Sequence, residues 1–245
     1  MEKKSFDLSS LTLHILAMLF MLSDHMWLTV IDGNEWMTCI GRLAFPIFAF
    51  LIVEGYHHTH NFRKYLLRLL VLAVISEIPY NLMVGGELIY PYQQNVIWTF
   101  LIGLLTIRLI EKIFELDNYL LRALAATATV ICSFLIGMVS MADYYGFGVF
   151  TVLLFYLFRG DKWWCRLGQL IGLCWINFEL LGGLVYPFTL FGHSFEFAQQ
   201  GFAVFSLIFI WLYKGRQGAY SKAIQYIFYL FYPVHILTLS LIALS

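Results

Sequence analysis

Apolar residues fall into nine runs along the chain, and short polar clusters separate each run from the next. A transmembrane α-helix needs about 20 mostly apolar residues to cross roughly 30 Å of hydrocarbon. The pattern therefore predicts helical spans at 10–32, 40–56, 65–84, 96–113, 119–141, 146–158, 166–185, 200–213 and 223–244. The sixth and eighth runs are short, so we expect them to tilt, break or insert only partly.

Composition supports this interpretation, because 61% of the 245 residues are hydrophobic and only 12% are charged. So few charged groups could not cover the surface of a soluble protein. Nine helices leave too few residues for a soluble domain. We expect one all-α polytopic domain over residues 1–245, placed in the bilayer of the cell membrane. No nucleic-acid partner is expected, and the oligomeric state stays open.

Basic residues predict the orientation, because they accumulate in cytoplasmic loops. The loops around 33–39, 85–95, 141–145 and 186–199 contain no Lys or Arg. Fourteen of the fifteen basic residues fall on the other side: Lys3, Lys4, Arg63, Lys64, Arg68, Arg108, Lys112, Arg122, Arg159, Lys162, Arg166, Lys214, Arg216 and Lys222. The nine runs then place the amino terminus in the cytoplasm and the carboxyl terminus outside. Arg42 is the exception, at the outer end of the second run.

Three features of the chain could imitate other functions. The first run resembles a secretory signal, but Asp24 and His25 interrupt it, and we expect a retained helix. The four cysteines have no paired metal spacing, and no disulfide is expected. His57, His58 and His60 do not converge on one helix face, so a polar interfacial turn is favoured over a metal site.

Ionisable residues inside the predicted outer half of the membrane are candidates for function, because a buried charge needs a partner or a purpose. Asp24 and His25 lie in the outer half of the first span. An imidazole oriented by a carboxylate can act as a general base. Asp24 could instead pair with Arg42 across two helices. His14 lies about 16 Å below His25 on nearly the same face of the helix.

Further polar residues mark both ends of the bundle. Pro46 should kink the second span, and Glu54 stands at its inner end. The basic cluster Arg63, Lys64 and Arg68 could anchor the third span or hold phosphate at a helix amino terminus. Polar groups near outer ends are Glu77, Asn81, Asn95, Asp143, Tyr144, Asn177 and Glu179, which could line an acceptor cavity or form an interface belt. His235 follows Pro233 in the last span and is either structural or ligand-lining.

Several of these segments together resemble the TraX family along nearly the whole chain. They are Asp24-His25, Gly41-Arg42-Leu43-Ala44-Phe45-Pro46, Ser76-Glu77-Ile78-Pro79, Asp143-Tyr144 and Tyr232-Pro233-Val234-His235. TraX proteins are known for acetylating the amino terminus of conjugative pilin. They look like relatives of the wider integral-membrane acyltransferases, in which an essential histidine in the first span follows a basic residue by eleven positions. His25 matches that histidine, and His14 stands at the earlier position.

The resemblance implies an acetyl-CoA-dependent membrane acyltransferase. Acetyl-CoA would be the acyl donor, and the acceptor would be an extracytoplasmic peptide amino terminus or glycan. His25 would be the general base, Asp24 would orient it, and Arg42 would stabilise the oxyanion or hold Asp24 ionised. Arg63, Lys64, Arg68, Glu54, His58 and His235 would bind the cofactor. A proton-coupled transporter or flippase, and a non-enzymatic assembly factor for a surface structure, are the alternatives.

Overall fold

The structure, a computed structural model, describes residues 7–190, 192–219 and 221–245. It is mostly helical. The α-helices in these residues are α1 (Ser10–Thr29), α2 (Trp36–Gly41), α3 (Ala44–His58), α4 (Phe62–Gly85), α5 (Val96–Ile113), α6 (Tyr119–Val139), α7 (Tyr145–Leu157), α8 (Trp163–Cys174), α9 (Ser206–Leu212) and α10 (Lys222–Ala243). Lys3 and Lys4 lie outside the described residues, so their predicted place before the first span is not described.

Polar side chains at helix starts explain where several helices begin. The side chains of Ser9, Asn61, Asn95, Asn118 and Ser221 each accept a hydrogen bond from a backbone N–H in the first turn of α1, α4, α5, α6 and α10. Such caps satisfy backbone donors that have no partner within the helix. The polar clusters that separate the apolar runs are therefore also the helix caps.

Nine helical segments match the nine apolar runs among the described residues, but they are not equally suited to crossing a membrane. Five are long and apolar enough to do so: Ser10–Thr29, Trp36–His58, Phe62–Gly85, Tyr119–Val139 and Lys222–Ala243. Tyr145–Leu157 and Gln199–Leu212 are apolar but shorter. The membrane-protein class is thus supported, whereas the count of nine spans and the orientation stay predictions.

The second span breaks where its proline predicts a kink. It consists of α2 and α3, with Arg42 and Leu43 between them and Pro46 in the first turn of α3. Proline is tolerated in a first turn because its missing N–H would have no helical partner there. The break places Arg42 at a junction between two helices.

The seventh predicted span, 166–185, does not continue as one helix. After α8 the chain forms a π-helical turn, Trp175–Leu180, and then two strands, β1 (Val185–Leu190) and β2 (His193–Ala198). The strands pair antiparallel, with Val185 opposite Ala198. The expectation of an all-α chain is therefore wrong in this segment. Residues 194–197 of β2, Ser-Phe-Glu-Phe, alternate between polar and apolar, which is the two-residue period of a strand.

α3 forms the centre of the bundle. In its span 72% of the most apolar stretch is buried, against 11% for α6 at the periphery. Ile47 and Val53 of α3 pack in a core with Leu104 of α5 and Val152 of α7. α1 and α10 lie side by side, and α10 also packs on α4. This arrangement brings the first and last helices together, which positions the candidate site.

Candidate functional site

A pair of histidines joins the first long helix to the last. Nδ1 of His25 on α1 lies 2.8 Å from Nε2 of His235 on α10, although the two residues are 210 positions apart. The ring planes differ by only 5° and the centroids are 5.0 Å apart. Nearly coplanar rings at this nitrogen separation indicate an in-plane hydrogen bond rather than face-to-face stacking.

A backbone carbonyl fixes the direction of this hydrogen bond. Nδ1 of His235 lies 2.6 Å from the carbonyl oxygen of Phe231, which can only accept. Nδ1 of His235 must therefore carry a proton, and Nε2 of a neutral His235 is then an acceptor. It follows that Nδ1–H of His25 donates to His235. A neutral His25 is left with its lone pair on Nε2.

Nε2 of His25 has no hydrogen-bond partner among the described residues. The His25 side chain is half-buried rather than sealed in the core. His235 is buried, and its ring stacks on Phe231 with centroids 4.5 Å apart. The pair thus consists of one fixed imidazole and one partly accessible imidazole that carries an unprotonated nitrogen. This is the arrangement that a general base requires.

Asp24 pairs with Arg42 and not with His25. A terminal guanidinium nitrogen of Arg42 donates to Oδ1 of Asp24 at 2.8 Å and to Oγ1 of Thr38 at 2.8 Å. The expected orientation of His25 by Asp24 is therefore not found, because adjacent residues on a helix point in different directions. The alternative, an Asp24–Arg42 pair across two helices, is confirmed.

Gly41 makes this pair possible. A Cβ added at Gly41 would lie 2.4 Å from Cβ of Asp24, so only glycine lets α1 approach α2 this closely. The Asp24 and Arg42 side chains are 21% and 17% exposed, which leaves the guanidinium reachable from one side. Arg42 is also close enough to His25 for its charge to act on that ring. The guanidinium and the histidine pair therefore belong to one site.

The loop before α7 approaches the same guanidinium. Met141, Tyr144 and Tyr145 all have positive φ, at 53°, 62° and 49°. Left-handed backbone in non-glycine residues is strained and is found preferentially at functional sites. The Tyr144 ring stacks on Phe45 with centroids 3.9 Å apart, and the Tyr144 hydroxyl lies close enough to Arg42 for the two groups to interact electrostatically.

Asp143 adds a second carboxyl group near Arg42. Burial raises its pKa from 3.8 to about 6, while the positive charge of Arg42 opposes the rise and Asp24 adds to it. Backbone N–H of Tyr144 donates to Oδ1 of Asp143 at 3.1 Å. We call this end of the bundle the outer end, following the predicted orientation. Two carboxyl groups, one guanidinium and one phenol lie close together there.

A third carboxyl group at the outer end is held by neutral donors. Oε2 of Glu77 accepts hydrogen bonds from Asn95 and, at 2.9 Å, from the indole nitrogen of Trp98. Within the part of the chain that the structure describes, Oε1 of Glu77 is buried without a hydrogen-bond partner. Glu77 was expected only as one of several outer polar residues, and its two donors lie on the next helix of the chain.

A cavity of about 820 Å³ opens at the opposite, inner end between α1, α3, α4 and α10. His14, Glu54, His58, His60, Tyr65, Arg68, Tyr213 and Phe228 are among its lining residues. Nδ1 of His14 lies 2.8 Å from the carbonyl oxygen of Ser10, and the ring stacks on Phe228. The volume lies within the range of cavities that hold small molecules. His25 and His235 do not line it.

The residues expected to bind the cofactor are only partly brought together. Glu54, His58 and Arg68 line the inner cavity, whereas Arg63 and Lys64 are exposed in the first turn of α4. The carboxylate of Glu54 is paired with Arg159 at 2.6 Å, and His58 lies 3.6 Å from it. Glu54 is therefore a structural partner of an arginine in this geometry.

His235 lies apart from the other residues that were expected to bind the cofactor. It was predicted to contact the cofactor, but it lies beside His25, away from the inner cavity. Thr38 and Tyr144 were not predicted as site residues, although Tyr144 lies in an outer polar cluster that the sequence does reveal. No local pattern could have paired residues 25 and 235.

Comparison with known proteins agrees with the pattern of segments. A family model described as "TraX protein" matches residues 9–243. A relative from Dichelobacter nodosus, described as a probable fimbrial assembly protein FimC of serogroup H1, is 27% identical over 246 residues. The match covers 95% of each chain. No solved structure gives a significant match. Because the family model covers nearly the whole chain, this protein belongs to the TraX family.

Proposed function

We propose that this protein is an acetyltransferase of the cell membrane. It uses cytoplasmic acetyl-CoA to acetylate an amine or hydroxyl acceptor on the far side of the membrane. The observation that carries the proposal is the His25–His235 hydrogen bond, which ends on the Phe231 carbonyl and leaves Nε2 of His25 unprotonated. A neutral imidazole with a fixed tautomer is suited to removing a proton from a nucleophile near neutral pH.

The proposed reaction uses His25, Arg42 and Tyr144 of the outer site. Nε2 of His25 takes the proton from the acceptor as its nitrogen or oxygen attacks the acetyl carbonyl. The Arg42 guanidinium, with the Tyr144 hydroxyl beside it, stabilises the negative charge that develops on the carbonyl oxygen. The tetrahedral intermediate then collapses, the C–S bond breaks, and His25 returns the proton to the CoA thiolate.

The inner cavity supports a donor site on the cytoplasmic side. Its volume of about 820 Å³ can enclose much of an elongated small molecule. Arg68 lines the cavity, and Arg63 and Lys64 lie on the exposed first turn of α4. A helix amino terminus with nearby basic groups favours phosphate. We propose that the phosphates of CoA bind there and that the acyl arm enters the cavity.

The acyl arm must reach from the cavity to His25 between α1 and α10. His14 lines the cavity and lies eleven residues before His25, or about 16 Å along the helix axis. Phe228 of α10 faces His14 at the cavity, and Phe231 stacks on His235 further along the same helix. The proposal therefore requires that these aromatic side chains move apart when the donor binds.

The relative's description connects the proposed acceptor to surface filaments. That relative is named as a probable fimbrial assembly protein. By extension, the acceptor of this protein would be a filament subunit or another cell-surface molecule. A non-enzymatic assembly role is the second candidate, favoured by the same name. The two candidates differ in one respect, since only the enzyme needs the unprotonated nitrogen of His25 for filament assembly.

Calorimetric titration of acetyl-CoA into the detergent-purified chain tests the donor site. We expect binding by the native chain and at least tenfold weaker binding by Arg63→Ala/Arg68→Ala, because charge-assisted hydrogen bonds to phosphate contribute about 1.5–3 kcal/mol each. Lys112→Ala/Lys162→Ala removes two exposed charges outside the cavity and should bind as the native chain does. Absence of binding by a folded native chain would contradict the proposal.

A further inference from the structure

A second cavity lies at the outer end, between α2, the β1–β2 hairpin and the 3₁₀ segment Gln199–Phe205. Its volume is about 490 Å³, and it takes no part in the proposed acetyl transfer. The residues that line it are Glu35, Trp36, Cys39, Tyr186, Phe197, Phe202 and Phe205. Five of these seven side chains are aromatic, and one is a carboxylate.

The aromatic rings form walls that meet at steep angles. The Phe197 and Phe202 rings have centroids 5.0 Å apart and planes at 71°, and the Phe202 and Phe205 rings are 6.0 Å apart at 45°. Trp36 and Phe205 are 59% and 47% exposed at the opening, while Phe197 and Phe202 are half-buried. Ring faces carry negative electrostatic potential, so the exposed rings of Trp36 and Phe205 at the opening attract a cation.

Tyr186 is held in the wall by two hydrogen bonds. Its hydroxyl oxygen accepts from Nε2 of Gln199 at 3.1 Å and from Sγ of Cys39 at 3.7 Å. The Tyr186 hydroxyl is the acceptor in both bonds, so its own proton points away from Gln199 and Cys39. Glu35 is close enough to act electrostatically on the phenol. The hairpin is thus tied to α2 across the cavity, which keeps the aromatic walls in place.

The charge of the cavity also favours a cation. Among the described residues, Glu35 is the only charged one in its lining. Segments 33–39 and 186–199, which supply most of that lining, contain no Lys or Arg. A ligand that carries a phosphate beside its ammonium group, as a zwitterionic lipid headgroup does, would find no partner for the phosphate. A ligand with a positive charge alone is better matched.

We infer that this cavity binds an organic ammonium monocation, held between the aromatic faces and the carboxylate of Glu35. The cavity is separate from His25, so the inference does not depend on the acetyltransferase proposal. The charge would lie at the opening beside Glu35 and over the exposed rings of Trp36 and Phe205, and apolar substituents would contact Phe197 and Phe202.

Binding of radiolabelled choline to the full chain in detergent, followed by scintillation proximity, tests this inference. Tetramethylammonium should displace choline, whereas 3,3-dimethylbutan-1-ol, a neutral molecule of the same shape, should not. Glu35→Gln and Trp36→Leu should each weaken binding about tenfold, which is the effect of one lost electrostatic or cation–π partner. Glu87→Gln changes an exposed acid outside the cavity and should leave binding unchanged.

Three results of the ligand experiments would overturn the inference. They are the absence of saturable choline binding to the folded chain, equal displacement by the neutral isostere, and displacement by phosphocholine as effective as that by tetramethylammonium. The last result would identify a lipid-headgroup site instead. Glu35 is exposed, so its substitution should not unfold the chain, and unchanged affinity in Glu35→Gln would also contradict the inference. Acetyl-CoA binding measured on the same samples reports on the proposed function separately.

Discussion

The hydrogen bond between His25 and His235 gives the sharpest prediction about catalysis. Replacing His235 by phenylalanine retains an aromatic ring against Phe231 but removes the nitrogen that accepts from His25. Nδ1 of His25 then loses its partner, and the proton is free to move to Nε2. An Nε2–H imidazole cannot accept a proton from the acceptor at that position, so the general base is lost.

The proposed mechanism predicts different magnitudes for stability and for turnover. A hydrogen bond of this kind contributes about 0.5–1.5 kcal/mol net to stability, and an unsatisfied buried partner adds about 1–3 kcal/mol to the loss. His25 is half-buried, which places the expected loss of unfolding free energy near the lower figure, at about 1–2 kcal/mol. General acid–base catalysis contributes about 10²–10⁴-fold to the rate. We therefore expect turnover to fall at least 100-fold in folded protein.

The assay follows release of the free CoA thiol from acetyl-CoA in everted membrane vesicles, with the amount of folded protein measured in parallel. His235→Gln offers a side-chain oxygen that can still accept from Nδ1 of His25, so it should recover part of the lost rate. Full turnover in His235→Phe would refute the tautomer argument. A loss that matches the loss of folded protein would assign His235 a purely structural role.

Three further predictions concern the ion pair, the buried acid and the orientation. Asp24→Ala leaves Arg42 without its carboxylate and should lower the free energy of unfolding in detergent by about 2–4 kcal/mol. The double variant Asp24→Ala/Arg42→Met should recover part of this loss. Equal melting temperatures for the native chain and both variants would contradict a stabilising role of the pair. Because the folded-state pKa of Asp143 is raised from 3.8 to about 6, its stabilising contribution is complete below pH 3.8 and is lost as pH rises to about 6. Asp143→Asn should therefore be more stable than the native chain at pH 7, by about 1–3 kcal/mol, and should melt at a higher temperature. At pH 4 the two chains should melt at the same temperature. A gain in stability that is independent of pH would contradict the raised pKa of Asp143 as its cause. Cysteines placed at Lys112 and Glu87 should react with an impermeant maleimide only from the cytoplasmic and the extracytoplasmic side, respectively, and labelling of both from one side would disprove the predicted topology.

The sequence was sufficient to place the polar groups of the first two spans. Asp24 and Arg42 interrupt apolar runs. Because an unpaired charge at such depth in the membrane has a high free-energy cost, their pairing could be predicted from the sequence. Pro46 likewise indicated the break between α2 and α3, which leaves Arg42 at the junction. The helical segments followed from the length of the apolar runs.

The rest of the site depends on how distant helices pack. His235 meets His25 only because α10 lies against α1, and nothing in either segment specifies that neighbour. Tyr144 reaches Arg42 through a loop with left-handed backbone, a conformation that tertiary contacts impose on a tyrosine. The β1–β2 hairpin was missed because all but its first residue lie in 186–199, a segment whose lack of Lys and Arg indicated only an outer loop.

The most direct test of the central claim is the rate of CoA release from acetyl-CoA by His25→Gln in the same vesicles. Glutamine can still donate a hydrogen bond to His235, so the helix contact is kept while the basic nitrogen is removed. His193→Gln, an exposed substitution on the hairpin, is the matched control and should retain the native rate. The account predicts that His25→Gln is folded, binds acetyl-CoA normally and has lost at least 99% of the turnover, as the 10²–10⁴-fold contribution of a general base requires. Native turnover in folded His25→Gln would show that His25 is not the base.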